Sequence, residues 1–234
     1  VGARNKAAGE EAAVLLSAEG IEAHFVAIDV ADDASVDAAA SGITSGSGRL
    51  DILVNNAGIN DPSDGSVPTA DVDAVERVLR TNFLGALAVT QVMLPLLRQS
   101  QTGPIVNVSS GLGFLTQNSD PAYPSANVKL TGYSASKAAL NMLMVQLAYL
   151  LRDTAIKVNS ADPGYTATGL NSHRGTQTVA QGAAEAIRLF SLWSRAMVGR
   201  TDAGENNMPR NGCVSGCALI RLTERTRNFS WAKS

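Results

Sequence analysis

Tyr133 and Lys137 stand four residues apart in the stretch Tyr133-Ser134-Ala135-Ser136-Lys137, at the head of an apolar run from Ala138 to Leu151. Residues at that spacing stack on one face of an α-helix, so a phenol and an ammonium are expected side by side. A free tyrosine titrates near pKa ~10 and exchanges protons poorly at neutral pH. A fixed cation close by favours the phenolate and draws that pKa toward the working range. The pair is suited to acid/base chemistry at an oxygen. Taken alone, the pair has a solvated helix face as its default reading.

The elements that would position the pair alternate between strand and helix. Val1-Gly2-Ala3 reads as the tail of a strand, and a helix follows from Lys6 to Glu19, ended by Gly20. His24 to Ile28 is a short strand closed by Asp29, and Asp33 to Ile43 is helical. Leu50 to Val54 and Ile105 to Val108 are apolar without alternation, as strands buried on both faces are. Thr69 is the expected N-cap of a helix running to about Arg98, bent or frayed near Pro95. Ile156 to Ala161 is a further strand, and Val179 to Ser194 a last helix. Such alternation means βαβ units and a parallel sheet with helices on both faces. Ligands bind beyond the carboxyl ends of such strands. Asp29, Asn56 to Gly58, Ser110 and Pro163-Gly164 all fall at strand ends, with Tyr133 just downstream, and should gather on one rim.

Composition narrows the classes. With 234 residues, 45% of them apolar and 17% charged, the chain suits one soluble globular domain. A formal charge of -2 disfavours a sequence-independent nucleic-acid binder. No apolar run reaches the ~20 residues of a membrane span, and no signal-peptide pattern is present. Cys213 and Cys217 imply no disulfide framework, so a reducing, cytoplasmic setting is expected. Those cysteines would be half a metal site, but His24 and His173 are the only histidines and His24 falls in an expected buried strand. No metal is expected. Ser109-Ser110 lacks the Gly-x-Ser-x-Gly elbow of a hydrolase.

In order along the chain, Asp29-Val30, Asn55-Asn56-Ala57-Gly58, Asn82, Ser110, Tyr133-x-x-x-Lys137 and Pro163-Gly164 resemble the short-chain dehydrogenase/reductase family over most of residues 1 to 190. The long stretch before Tyr133, with Pro121, Pro124 and the run to Gly132, is similar to the inserted loop of carbonyl-reductase-type members. Each mark has a bland counterpart. Asn82 suits an ordinary helix, Gly58 and Pro163-Gly164 suit turns, and Asp29 suits a helix cap. The ordered set does not. The resemblance implies a Rossmann-like doubly wound parallel sheet flanked by helices and a hydride exchanged between nicotinamide and a small carbonyl or alcohol. It implies Tyr133 as proton donor, Lys137 as its pKa partner and ribose contact, Ser110 as holder of the substrate oxygen, and Asn82 as positioner of a relay water. Asp29 and Val30 would meet adenine, Asn56, Ala57 and Gly58 the ribose, and Pro163, Gly164 and Thr168 the nicotinamide side.

Arg4 bears on the cofactor. In dinucleotide folds an acidic residue after the second strand bonds the ribose 2′-hydroxyl, whereas an arginine accommodates a 2′-phosphate. Ala3 and Arg4 stand there with no Asp or Glu, which puts NADP (NADPH) ahead of NAD. The chain opens where the family's second strand would be ending, so the first strand and glycine-rich turn are expected to be missing, as in an N-terminally truncated chain. Residues 1–196 are expected to form the incomplete dehydrogenase/reductase domain and residues 197–234 an atypical tail. Beside an NADP-dependent, carbonyl-reductase-like enzyme stand two other readings, a non-catalytic dinucleotide-binding protein and an inactive fragment. The oligomeric state is left open.

Overall fold

The computed structural model describes residues 1–196 and 218–220. The first three helices begin where the sequence supplies a side-chain cap. β1 (Gly2–Ala3) leads to α1 (Lys6–Ala18), whose N-cap Asn5 accepts a hydrogen bond from the Ala8 N–H at 3.1 Å. After β2 (Val26–Ala27), Asp32 caps α2 (Asp33–Gly46) by accepting from the Ala34 N–H at 3.0 Å. β3 (Ile52–Asn55) is followed by α3 (Val72–Leu79), capped by Asp71, which accepts from the Asp73 N–H at 2.8 Å. A π-helical turn over Arg80–Gly85 joins α3 to α4 (Ala86–Leu97). β4 (Ile105–Val108), a 3₁₀ turn at Gly111–Gly113, α5 (Leu115–Asn118) and the long α6 (Thr131–Leu150) come next. β5 (Val158–Ala161), α7 (Val179–Ala196) and β6 (Ala218–Ile220) complete the order.

The strands form two sheets. β1 and β2 pair in parallel, and the second sheet has the order β5-β4-β3-β6. Its first three strands are parallel, with Leu53 beside Ile105 and Ile105 beside Val158. β6 runs antiparallel along the other flank of β3, with Leu219 beside Leu53. One face buries Leu53, Ile105 and Val158 against α4 and α6; the other buries Ile52, Val54, Val106, Val108 and Ala161 against Ala186 and Leu189 of α7. This two-sided burial is why Ile52–Val54 and Ile105–Val106 read as apolar runs without alternation. The larger core also takes in Ile28, Val30, Val36 and Ala39, so the β1–β2 pair is packed onto the same interior through α2 and α4. Arg80 adds a clasp, donating to the Ala31 carbonyl at 3.0 Å and meeting Asp33 at 2.7 Å.

Several local expectations are corrected. The strand expected over residues 24 to 28 contracts to Val26–Ala27, and the His24 side chain is 78% exposed beside Glu22 rather than buried. Thr69 lies in a turn with its N–H on the Ser66 carbonyl, while Asp71 takes the capping role. The helix expected from Thr69 to Arg98 runs without interruption from Val72 to Leu97 with a π turn in its middle, and α4 continues through Pro95. Proline removes the bond to the carbonyl four residues back. Here that carbonyl belongs to Gln91, an exposed residue, where solvent can take the place of the missing donor. Among the described residues no helix is long and apolar enough to cross a membrane, and no group of three or more metal-ligating side chains occurs. Cys213, Cys217 and most of the expected tail lie outside the described residues.

Candidate active site

The parallel strands bring their carboxyl ends to one rim, where a cavity of about 430 Å³ opens. That volume lies in the range of small-molecule sites. Arg4, Asp29, Val30, Asn56, Ala57, Gly58, Tyr133, Lys137, Pro163, Gly164 and Thr168, all expected as cofactor contacts, border it. So does Ser110, whereas Asn82 does not. Five strand ends and the first turn of α6 therefore converge on one space, from residues far apart in sequence.

Lys137 is 4% exposed, and its Nζ donates to the Val108 carbonyl at 2.8 Å. A buried ammonium is tolerated only with its donors engaged. The same Nζ lies 5.5 Å from the centre of the Tyr133 ring. Ser110 opens the 3₁₀ turn after β4, and its Oγ accepts from the Leu112 N–H at 3.2 Å, which leaves the hydroxyl proton to donate. That turn is pressed onto α6: a Cβ on Gly113 would fall 2.7 Å from the Lys137 carbonyl carbon. Only glycine permits this approach, which ties Ser110 to the Tyr133–Lys137 pair.

Asn82 sits in the π turn, 1% exposed. Its Oδ1 accepts from the Ile59 N–H at 2.8 Å, and its Nδ2 donates to the Ile59 carbonyl and to Ser136 Oγ, both at 3.0 Å. Both amide hydrogens are thereby committed. The side chain pins the loop after β3 to α6. A π turn inside a helix often marks a functional site, because the inserted residue re-aims its neighbours. At the far end of the cavity Arg4 is 72% exposed on its side chain and lies 4.0 Å from the Asp29 carboxylate.

A model of the family described as short chain dehydrogenase matches residues 1–178. The chain belongs to the short-chain dehydrogenase family. It is 35% identical over 193 residues to the short-chain dehydrogenase anuI of Penicillium roqueforti, covering 80% of this chain and 75% of that protein. To the short-chain dehydrogenase/reductase tropE of Talaromyces stipitatus it is 32% identical over 161 residues, covering 63% of this chain and 58% of that one. Among solved structures, NADPH-bound carbonyl reductase from chicken fatty liver superposes with a TM-score of 0.60 at 27% identity, over 71% of this chain and 67% of that one. Gluconate 5-dehydrogenase from Burkholderia cenocepacia, in complex with NADP and tartrate, gives a TM-score of 0.64 at 29% identity, over 73% and 62%. The chain thus spans a little under two thirds of the length of two of these four relatives.

One positioning residue carries no mark in the sequence. Asp64 is 7% exposed, and its two carboxylate oxygens accept from the Gly132 and Tyr133 N–H groups, each at 2.8 Å. It caps α6 from 68 residues away in sequence. A signal was present in negative form. Leu130, at the N-cap position, offers no side-chain acceptor, and the first N–H groups of a buried helix end must find one elsewhere.

Proposed function

We propose that this protein is an NADP-dependent oxidoreductase that transfers a hydride between nicotinamide and a small carbonyl or alcohol substrate, most like the carbonyl reductases. The observation that carries the reading is the buried Lys137 ammonium beside the Tyr133 ring, on the same cavity as Ser110. The cavity suits a dinucleotide at both ends, with a cationic Arg4 at one and hydroxyl groups at the other. The bound nicotinamide would supply or accept the hydride. Tyr133 gives its proton to the carbonyl oxygen during reduction and takes the alcohol proton in reverse. Lys137, fixed by Val108, offsets the charge left on the phenol. Ser110 donates its hydroxyl proton to the same substrate oxygen and orients it. Asn82 holds the Ile59 loop in register with α6, and one lone pair of its Oδ1 is left for a relay water.

NADP over NAD is supported by Arg4 and by the relatives whose printed names include NADPH or NADP. Asp29, Val30, Asn56, Ala57, Gly58, Pro163, Gly164 and Thr168 are the remaining proposed cofactor contacts. Residues 1–196 are read as one unit because a single core joins both sheets. The finer reading, a Rossmann sheet without its first strand, is supported by the division into two sheets and by the antiparallel β6 on the flank of β3.

Tyr133→Phe tests the reading. It should lower turnover of ketones and aldehydes about 10²–10⁴-fold, the usual loss for a positioned general acid, while NADPH still binds. Near-equal rates for the two proteins would sink the assignment.

A further inference from the structure

The segment between α5 and α6 is long for a connection to a catalytic helix, and it is tightly built. Asn118 Nδ2 donates to the Gly111 and Phe114 carbonyls at 3.1 and 2.9 Å. The Tyr123 N–H bonds the Asp120 carbonyl at 3.0 Å, and the Tyr123 carbonyl accepts from the Ala126 N–H at 2.8 Å. These turns aim the Tyr123 phenol at Gly111, the residue after Ser110. A Cβ on Gly111 would run into the Tyr123 hydroxyl and would lie 3.0 Å from Asp162 Oδ2. Tyr123, Gly111 and Asp162 all line the cavity. The other Asp162 oxygen, Oδ1, accepts from the Gly164 N–H at 3.0 Å, which fixes the carboxylate in place.

We propose that Tyr123 and Asp162 form a hydroxyl-recognising corner beside Ser110, so that this protein favours carbonyl substrates that carry a second oxygen as a hydroxyl or phenol. The inference rests on the proposed oxidoreductase reading of the same cavity. A phenol donates and a carboxylate only accepts. A substrate hydroxyl matches both at once, accepting from Tyr123 and donating to Asp162. A substrate carboxylate would meet Asp162 as a like charge, an element that selects by repulsion. A site that holds a hydroxyl group discriminates against the analogue lacking it, because its own polar groups then lose their partner.

The test compares acetophenone with its ring-hydroxylated and side-chain-hydroxylated forms and with phenylglyoxylate, in wild type, Tyr123→Phe and Asp162→Asn. NADPH consumption gives kcat/KM, and saturation-transfer NMR reads binding without turnover. Wild type should favour a hydroxylated ketone over acetophenone about ten-fold, the worth of one well-placed hydrogen bond. That ratio should fall toward one in Tyr123→Phe. Asp162→Asn, which keeps size and an acceptor for Gly164, should raise kcat/KM for phenylglyoxylate relative to acetophenone. Ratios identical in all three proteins overturn the inference while leaving the oxidoreductase reading intact. If nothing is turned over but hydroxylated ketones bind wild type and not Tyr123→Phe, the corner stands and the oxidoreductase reading falls. Absence of both turnover and selective binding removes both.

Discussion

Arg4 shows how a single residue's reading shifts once its neighbours are known. Its sequence context offered no carboxylate, yet the fold sets Asp29 4.0 Å from its guanidinium. Both side chains face the cavity, so a 2′-phosphate and a 2′-hydroxyl each find one matching group. The Arg4 side chain is mostly exposed, and an ion pair in such a setting contributes little, about 0–1 kcal/mol. A phosphate can therefore displace it at small cost. Arg4→Asp should move preference from NADPH toward NADH by roughly ten-fold or more in affinity ratio, as expected for loss of a charge-assisted hydrogen bond. Titration of both cofactors against both proteins measures this, and an unchanged ratio would mean that the guanidinium does not meet the phosphate.

At the scale of elements, the site depends on how loops and helix starts are pinned. α6 carries Tyr133 and Lys137, and it is held at its start by Asp64, along its side by the 3₁₀ turn at Gly113, and through Ser136 by Asn82. The loop that supplies Asp64 is itself anchored to α3 by the Asp61–Arg77 pair, 2.9 Å apart. The Ser63 N–H and then the Arg77 guanidinium hold the Asp61 carboxyl below the usual carboxylate range, and Asp61 in turn holds Arg77 above its ordinary value. A carboxyl whose pKa is lowered by folding stabilises the native state above its unfolded pKa of ~3.9, and the effect fades as pH falls through the folded value. Melting temperatures of wild type and Asp61→Asn should accordingly differ by a small, steady amount from pH 7 to 5 and converge below about pH 4. A gap that widens in acid would show that the pair is not what stabilises the loop.

For the whole molecule, the feature that matters is one interior shared by two sheets. The β1–β2 pair carries Arg4 and Asp29, whereas Ser110 and Tyr133 belong to the other sheet's side, so the two halves of the cavity keep their spacing through α2 packed on α4. Met93 lies in that shared core, 0% exposed. Met93→Ala should lower stability by about 2–5 kcal/mol, as other large-to-alanine truncations in cores do. Against a total of ~5–15 kcal/mol, such a loss is large. It should also weaken NADPH binding, because the two ends of the cavity would be less firmly related. Denaturant unfolding and cofactor titration of the same variant check both halves. A stability loss below about 1 kcal/mol would mean that the two sheets do not share a packed core.

The sequence by itself determined the parallel α/β arrangement, because fully buried strands demand uninterrupted apolar runs, as in Ile52–Val54 and Ile105–Val106. It also determined that Tyr133 and Lys137 share a helix, since their spacing is a local matter of 3.6 residues per turn. It led to the family, through an ordered set of residues at strand ends. Tertiary structure alone decided the rest. Asp64 could not be found locally, because its partners are the backbone N–H groups of a helix start much later in the chain. The role of Asn82 was equally out of local reach, because its amide bonds Ile59 and Ser136, far from it in sequence. Near His24 the strand shortens to the two residues that Gly2 and Ala3 pair with, and the His24 carbonyl accepts from the Val1 amino group. The Asp29–Arg4 and Tyr123–Gly111 approaches are likewise contacts between loops, where periodicity carries no signal and only the completed fold sets the distances.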